Sequence, residues 1–192
     1  MALLDVAIRV DGWTQAEEAW LWLRQLEIGV QLPERIVVTN LFAKILKIRR
    51  NLAREGSADA GPFQKTIAYR EYVFFSGDVH LALGVSVEHF PLLTKWLLNL
   101  NYWGKRGGFV QLMGLPTVVS DIGDYTLLTR EMTAFPVRGL MQRIDDCDPK
   151  MKLDNANIYT KSRPKRITRD VALPYQLKKS SRSYSLYERV GG

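Results

Sequence analysis

A succession of apolar, periodic stretches between residues 2 and 119, separated by turn-forming residues, leaves this chain a narrow choice of folds. Residues 2–10 (ALLDVAIRV) are apolar and tolerant of β structure, and they run into Asp11-Gly12, which predicts a buried first strand. Residues 13–28 fit two templates. Ala16, Ala19, Trp20, Leu23 and Leu26 keep helical spacing, whereas Trp20, Trp22 and Arg24 also suit an extended segment. Residues 37–54 carry the clearest helical pattern. Thr39 or Asn40 can cap it, Leu41, Ile45, Ile48 and Leu52 form one apolar face, and Lys44, Lys47, Arg50 and Arg54 fall on the other. Arg49 alone points among the apolar positions, either snorkelling from the helix end or reaching a ligand.

Residues 54–64 hold two glycines and a proline and predict an exposed loop. Residues 66–75 are aromatic and β-branched. Val79, Leu81, Leu83 and Val85 then alternate with smaller or polar residues, so two strands joined at Ser76-Gly77-Asp78 into a hairpin are expected. Ser86 can cap a helix with Pro91 in its first turn and Leu92, Leu93, Trp96, Leu97 and Leu100 as the buried stripe. Residues 109–119 read as a further strand, interrupted at Pro116. The order is β-α-β-β-α-β. The fold class expected is therefore α+β: a ferredoxin-like, RRM-like βαββαβ domain over residues 1–120. A basic, β-rich C-terminal extension packed on it is expected over residues 121–192. In that part, residues 125–135 could form a strand pair, residues 139–144 are short and mixed, and residues 145–149 suggest a polar turn.

Charge separates the same two parts. The formal net charge is +7, yet residues 150–192 hold eleven Lys/Arg against Asp154, Asp170 and Glu188, so residues 1–149 are close to neutral. A basic C-terminal quarter fits either a polyanionic partner or a merely solvated surface. Aromatics interleave with the cations there: Tyr159, Lys161, Arg163, Lys165, Arg166 and Arg169, then Tyr175, Lys178, Lys179, Arg182, Tyr184 and Tyr187. Such interleaving suits single-stranded nucleic acid, with charge for phosphates and ring faces for bases. Residues 101–109 (NYWGKRGGF) concentrate the same chemistry. Gly104, Gly107 and Gly108 would let backbone approach a ligand, Lys105 and Arg106 supply charge, and Trp103 a stacking surface. The plainer reading is a basic loop whose glycines end a helix.

Other chemistry is thinly represented. No Walker pattern, paired-glycine nucleotide fingerprint or His-rich metal motif is present. His80 and His89 are the only histidines, and a surface or structural role is expected for each over proton transfer. Asp145, Asp146 and Asp148 lack the spacing of a calcium loop, so no metal site is expected. Cys147, the single cysteine, excludes an internal disulfide and stands without a recognisable histidine partner. The start lacks the pattern of a signal peptide and no apolar run has membrane-spanning length, so a cytoplasmic location is expected.

Three features together resemble the Cas-five family of CRISPR-associated proteins, members of the RAMP superfamily. They are Asp11-Gly12-Trp13-Thr14 after the first apolar run, residues 30–42 (VQLPERIVVTNLF), and residues 100–106 (LNYWGKR). The loop here holds one proline, Pro33, where the family often has several, and residues 40–42 lack the family's glycine. The resemblance spans roughly residues 1–120. It implies a non-catalytic RNA-binding subunit of a type I CRISPR Cascade surveillance complex, needing no cofactor. The subunit would grip the 5′ handle of the crRNA and cap the backbone filament. Its partners would be the crRNA, the Cas-seven backbone subunit and the Cas-eight large subunit, with contact to target DNA near the PAM left open. The expected RNA-binding residues are Trp103, Gly104, Lys105, Arg106, Gly107 and Gly108, with Lys44, Lys47 and Arg50 as a second surface. Lys161, Arg163, Lys165 and Arg166 make a third. One branch of the family processes precursor RNA, so a metal-independent endoribonuclease using His80 or His89 is the alternative.

Overall fold

The computed structural model describes residues 1–192 apart from 52–54, 58–59, 105–106, 133–135, 137, 157–165 and 191–192. The elements run α1 (Ala2–Leu23), β1 (Glu27–Gln31), β2 (Arg35–Ile48), β3 (Phe63–Phe75), β4 (His80–Gly84) and α2 (Phe90–Leu98). There follow β5 (Thr126–Leu127), β6 (Leu140–Cys147), α3 (Leu153–Ala156), β7 (Arg166–Leu173), β8 (Tyr175–Ser180) and β9 (Tyr184–Arg189). Every strand pairing is antiparallel, so the chain is of the mixed α+β kind. Two compact units divide it: Met1–Gln31 with His80–Leu173, and Leu32–Val79 with Pro174–Gly192. The position near residue 120, where a domain boundary was expected, lies inside the first unit. The basic C-terminal stretch is shared, β7 pairing with β6 in the first unit and β8–β9 completing the sheet of the second.

In the first unit, residues 2–10 are helical, not a strand. A nine-residue apolar run is too short for periodicity to separate the two. Leu4 and Ala7 share the buried face, and an exposed Arg9–Asp5 pair at 3.1 Å spans one turn. Gly12 takes φ 84 and ψ 175, so α1 is two helical segments meeting at a kink, not one straight rod. Ala16, Ala19 and Trp20 then keep the helical spacing, which resolves the ambiguous segment as a helix up to Leu23. These residues form one core with Leu4, Val6, Ala7, Trp96, Met151 and Leu153. Two polar contacts anchor it: Trp20 Nε1 and Arg24 each donate to the carbonyl of Met151, at 2.8 and 2.7 Å. Trp96 is fully buried and donates Nε1 to Asp11 at 2.7 Å, while Lys95 also bonds that carboxylate. α2 forms as expected, burying Leu93 and Trp96.

The second unit holds the main departure from the sequence pattern. Residues 37–48, expected as a helix, are the inner part of β2, which pairs with β3 over thirteen consecutive residue pairs from Ile36–Phe75 to Ile48–Phe63. The physical cause is the β-branched run Ile36, Val37, Val38 and Thr39 beside an equally long β-forming partner. The i, i+4 spacing of Leu41 and Ile45 also fits an even-numbered strand period. β3 and β4 are both strands as expected, yet they do not pair as a hairpin: β3 joins β2, and β4 joins β1. Ser76 bonds the Arg35 carbonyl and ends β3 against β2. Arg49, neither snorkelling nor free, bonds the carbonyls of Pro62 and Phe63 and closes the ribbon's loop.

The βαββαβ order is therefore not what forms. The first unit has α1, β1, β4 and α2 in that order, with β1 and β4 antiparallel. Residues 110–119 form no strand, and Phe109 makes only an isolated bridge to Tyr102. Past residue 120, β5 is two residues long, and β6 takes in Asp145 and Asp146, expected in a turn.

Candidate nucleic-acid interface

Side chains alternate between the two faces of a strand, so the register fixes which residues of the β3-β2-β9-β8 sheet share a face. One face carries Arg35, Val37, Thr39, Leu41 and Lys47 from β2 and Phe74, Tyr72 and Arg70 from β3. From β9 and β8 it receives Glu188, Leu186, Tyr184, Gln176 and Lys179. Tyr72 and Tyr184 flank Thr39 on either side. Phe74 is 66% exposed and Tyr72 57%, two positions apart along one strand and thus roughly 7 Å from each other. Glu188 lies 3.1 Å from Arg35 and 3.4 Å from Lys178. Cations therefore exceed carboxylates on this face, where exposed rings stand between them.

The opposite face behaves differently. At its base Ile36 and Tyr175 are buried, 4% and 1% exposed, and the Tyr175 hydroxyl donates to the Pro33 carbonyl. Burial also pushes the Tyr175 phenol upward from its ordinary range. Along the free part of the ribbon this face is open and mixed, with Phe42, Leu46, Ile48, Phe63, Ile67 and Tyr69 exposed beside Lys44 and Lys65. Phe42 and Tyr69 meet edge-to-face at 4.7 Å.

Of the residues expected from the sequence, Lys44 and Lys47 are both exposed but point to opposite faces of β2, because three positions along a strand reverse direction. Arg50 is exposed just beyond β2. The glycine-bearing loop is a closed turn: Tyr102 bridges Phe109, and the Trp103 amide donates to the Gly108 carbonyl at 2.8 Å. Gly104 has φ 70, which explains the glycine there, and Trp103, Gly107 and Gly108 are exposed. Lys105, Arg106, Lys161, Arg163 and Lys165 lie outside the described residues. Arg166 opens β7 and sits 3.5 Å from Asp145, while Arg169 pairs with Asp146 at 2.7 Å. Reading the sequence missed Arg35, Arg70, Tyr72 and Phe74. The signal was present as period-two alternation within the run of residues 35–41 and 70–74, once both are taken as strands.

Of the groups weighed for other chemistry, one histidine is packed among rings and the other is exposed. His89 stacks on Trp22 at 4.7 Å, and Trp22 stacks on Trp96 at 5.5 Å. His80 starts β4 opposite Gln31. Among the described residues no cluster of His, Cys, Asp or Glu could hold a metal ion. Burial raises the Cys147 thiol, which disfavours the reactive thiolate. No helix among the described residues is long and apolar enough to cross a membrane.

Fold and face together describe a mixed α+β chain with antiparallel sheets, one of them presenting exposed rings among cations. Comparison with known proteins finds one similarity to report. The chain is 30% identical over 105 residues to the CRISPR-associated protein Cas5 of Archaeoglobus fulgidus. The match takes in 54% of this chain and 43% of the relative, so the chain spans less than half of the relative's length there. No family model and no solved structure matches the chain.

Proposed function

We propose that this chain is a Cas5-type RNA-binding subunit of a type I CRISPR Cascade complex, which holds the 5′ handle of the crRNA without cutting it. The observation that carries the reading is the open sheet face of β3-β2-β9-β8, where Phe74, Tyr72 and Tyr184 lie among Arg35, Arg70, Lys47 and Lys178. Rings of this kind stack unpaired bases, and the cations meet phosphates, a pairing suited to single strands. The A. fulgidus relative supplies the CRISPR setting. The loop with Trp103, Gly104, Gly107 and Gly108 offers a second RNA contact, with Lys105 and Arg106 beside it in sequence. Capping a backbone filament next to a large subunit follows from the family resemblance.

The test is binding of a labelled single-stranded RNA carrying the repeat-derived 5′ end, measured over a series of salt concentrations. Tyr72→Ala should weaken binding by about 1–3 kcal/mol with little change in salt slope. Arg70→Ala should lower the slope by about one. Unaltered affinity in both variants would remove this face from the RNA path.

A further inference from the structure

Between Arg35 and Lys47, β2 presents Val37, Thr39, Leu41, Ala43 and Ile45 on the open face of its sheet, so Thr39 is the one polar side chain in an apolar row. Threonine suits a strand because it is β-branched, but valine would serve that purpose equally. What threonine adds is a hydroxyl, and its proton has a fixed destination. Thr39 Oγ1 lies 3.2 Å from the Tyr72 carbonyl oxygen. A carbonyl can only accept, so the hydroxyl donates there and keeps its lone pairs for the open side. The result is an exposed acceptor. Tyr72 of β3 and Tyr184 of β9 stand directly opposite it on either side, with Cβ atoms about 5 Å away. Arg70, diagonal to it on β3, is about 7–8 Å away.

We propose that Thr39 reads the ribose 2′-hydroxyl of a nucleotide stacked beside it, and so makes this face prefer RNA to single-stranded DNA. With a base on the ring of Tyr72 or Tyr184, the attached sugar comes over Thr39, and the phosphate next to that sugar comes within reach of the Arg70 guanidinium. Rings and cations alone accept either polymer, because every base has a π-face and both backbones carry the same charge. A fixed acceptor separates them, since the 2′-hydroxyl is the donor that ribose has and deoxyribose lacks. Deoxyribose at this place covers the Thr39 oxygen and gives it nothing in return for its water. Because Thr39 is exposed, the difference is that of an ordinary hydrogen bond, roughly two- to tenfold in affinity, not the larger penalty of a closed pocket. The inference rests on the assignment of this face to RNA and adds the group that selects the sugar.

The experiment measures binding of one labelled sequence, made as RNA and as DNA, to the full chain and to Thr39→Val, which keeps the branched shape without the hydroxyl. Thr39→Val should bind the RNA roughly two- to tenfold more weakly and the DNA unchanged. Thr39→Ser, which keeps the hydroxyl, should retain the parent's ratio of RNA to DNA affinity. Removing one 2′-hydroxyl of the RNA at a time should reveal a position whose loss weakens binding to the parent and not to Thr39→Val. Equal weakening of both polymers, unaltered RNA affinity in Thr39→Val, or no such position would overturn the proposal even where Tyr72→Ala weakens binding. A silent Tyr72→Ala would instead strike the assignment of the face, and this inference with it.

Discussion

Asp11 shows how much one side chain can hold. It accepts bonds from Lys95 and from the buried Trp96 indole, joining the kink of α1 to α2, and these two donors hold its carboxyl below the ordinary range. Because the folded value is depressed, the stabilisation is complete above the ordinary carboxylate value of about 4 and is lost as pH falls through the lower folded value. Asp11→Asn should therefore unfold at lower urea than the parent at neutral pH, with the gap closing as the pH is taken down towards 2. A gap that stayed constant across that range would show that the charge of Asp11 contributes nothing. The sequence at this point was half legible. Asp11-Gly12 signals a break, and Gly12 does break the element. What the signal could not show is that helix resumes on the far side, because that depends on Trp96, distant in sequence, reaching back to Asp11.

At the scale of elements, the β2–β3 ribbon decides which cations act together. A helix would have gathered Lys44, Lys47 and Arg50 on one side, whereas the strand sends Lys44 and Lys47 to opposite faces. Lys47 shares its face with Tyr72 and Arg70, so Lys47→Ala should lower the salt slope of RNA binding by about one while Lys44→Ala leaves it unchanged. Equal losses in the two variants would mean that RNA does not follow the face as assigned. The elements whose stabilising partners are near in sequence were legible: α2 with its apolar stripe, though not the Ser86 cap expected for it, and β3 with its dense aromatics. β2 was not, because a regular run of Leu and Ile serves either period, and only its thirteen pairs with β3 choose between them. The candidate site shared this limit. Its residue types were visible as cations interleaved with rings, but which of them face the same way depends on register.

For the whole molecule, exposed apolar side chains are the governing feature. Phe42, Ile48, Phe63 and Ile67 in the second unit, and Leu115 and Val118 in the first, are all exposed, an amount of bare apolar surface that is unusual in a soluble monomer. The chain produced alone should self-associate with rising concentration, and produced with its complex should sediment as one defined species. Sedimentation velocity distinguishes these outcomes, and a free chain that remains monomeric at tens of micromolar would argue against dependence on partners. The presence of an α+β chain with a basic end was legible from composition and pattern. Its division into units was not, since residues 32–79 and 174–192 meet through strand pairing across a long stretch of chain.

That interleaving has a consequence during synthesis. The base of β2 waits for β9, which begins about 110 residues beyond the end of β3, and a ribosome adding about 5–20 residues per second leaves the ribbon without that neighbour for roughly 5–20 s. For that interval the nascent chain displays a long, sticky hairpin to the crowded cell. The pace of translation, and whatever shields the emerging polypeptide, therefore bears on how much of it reaches its assembly intact.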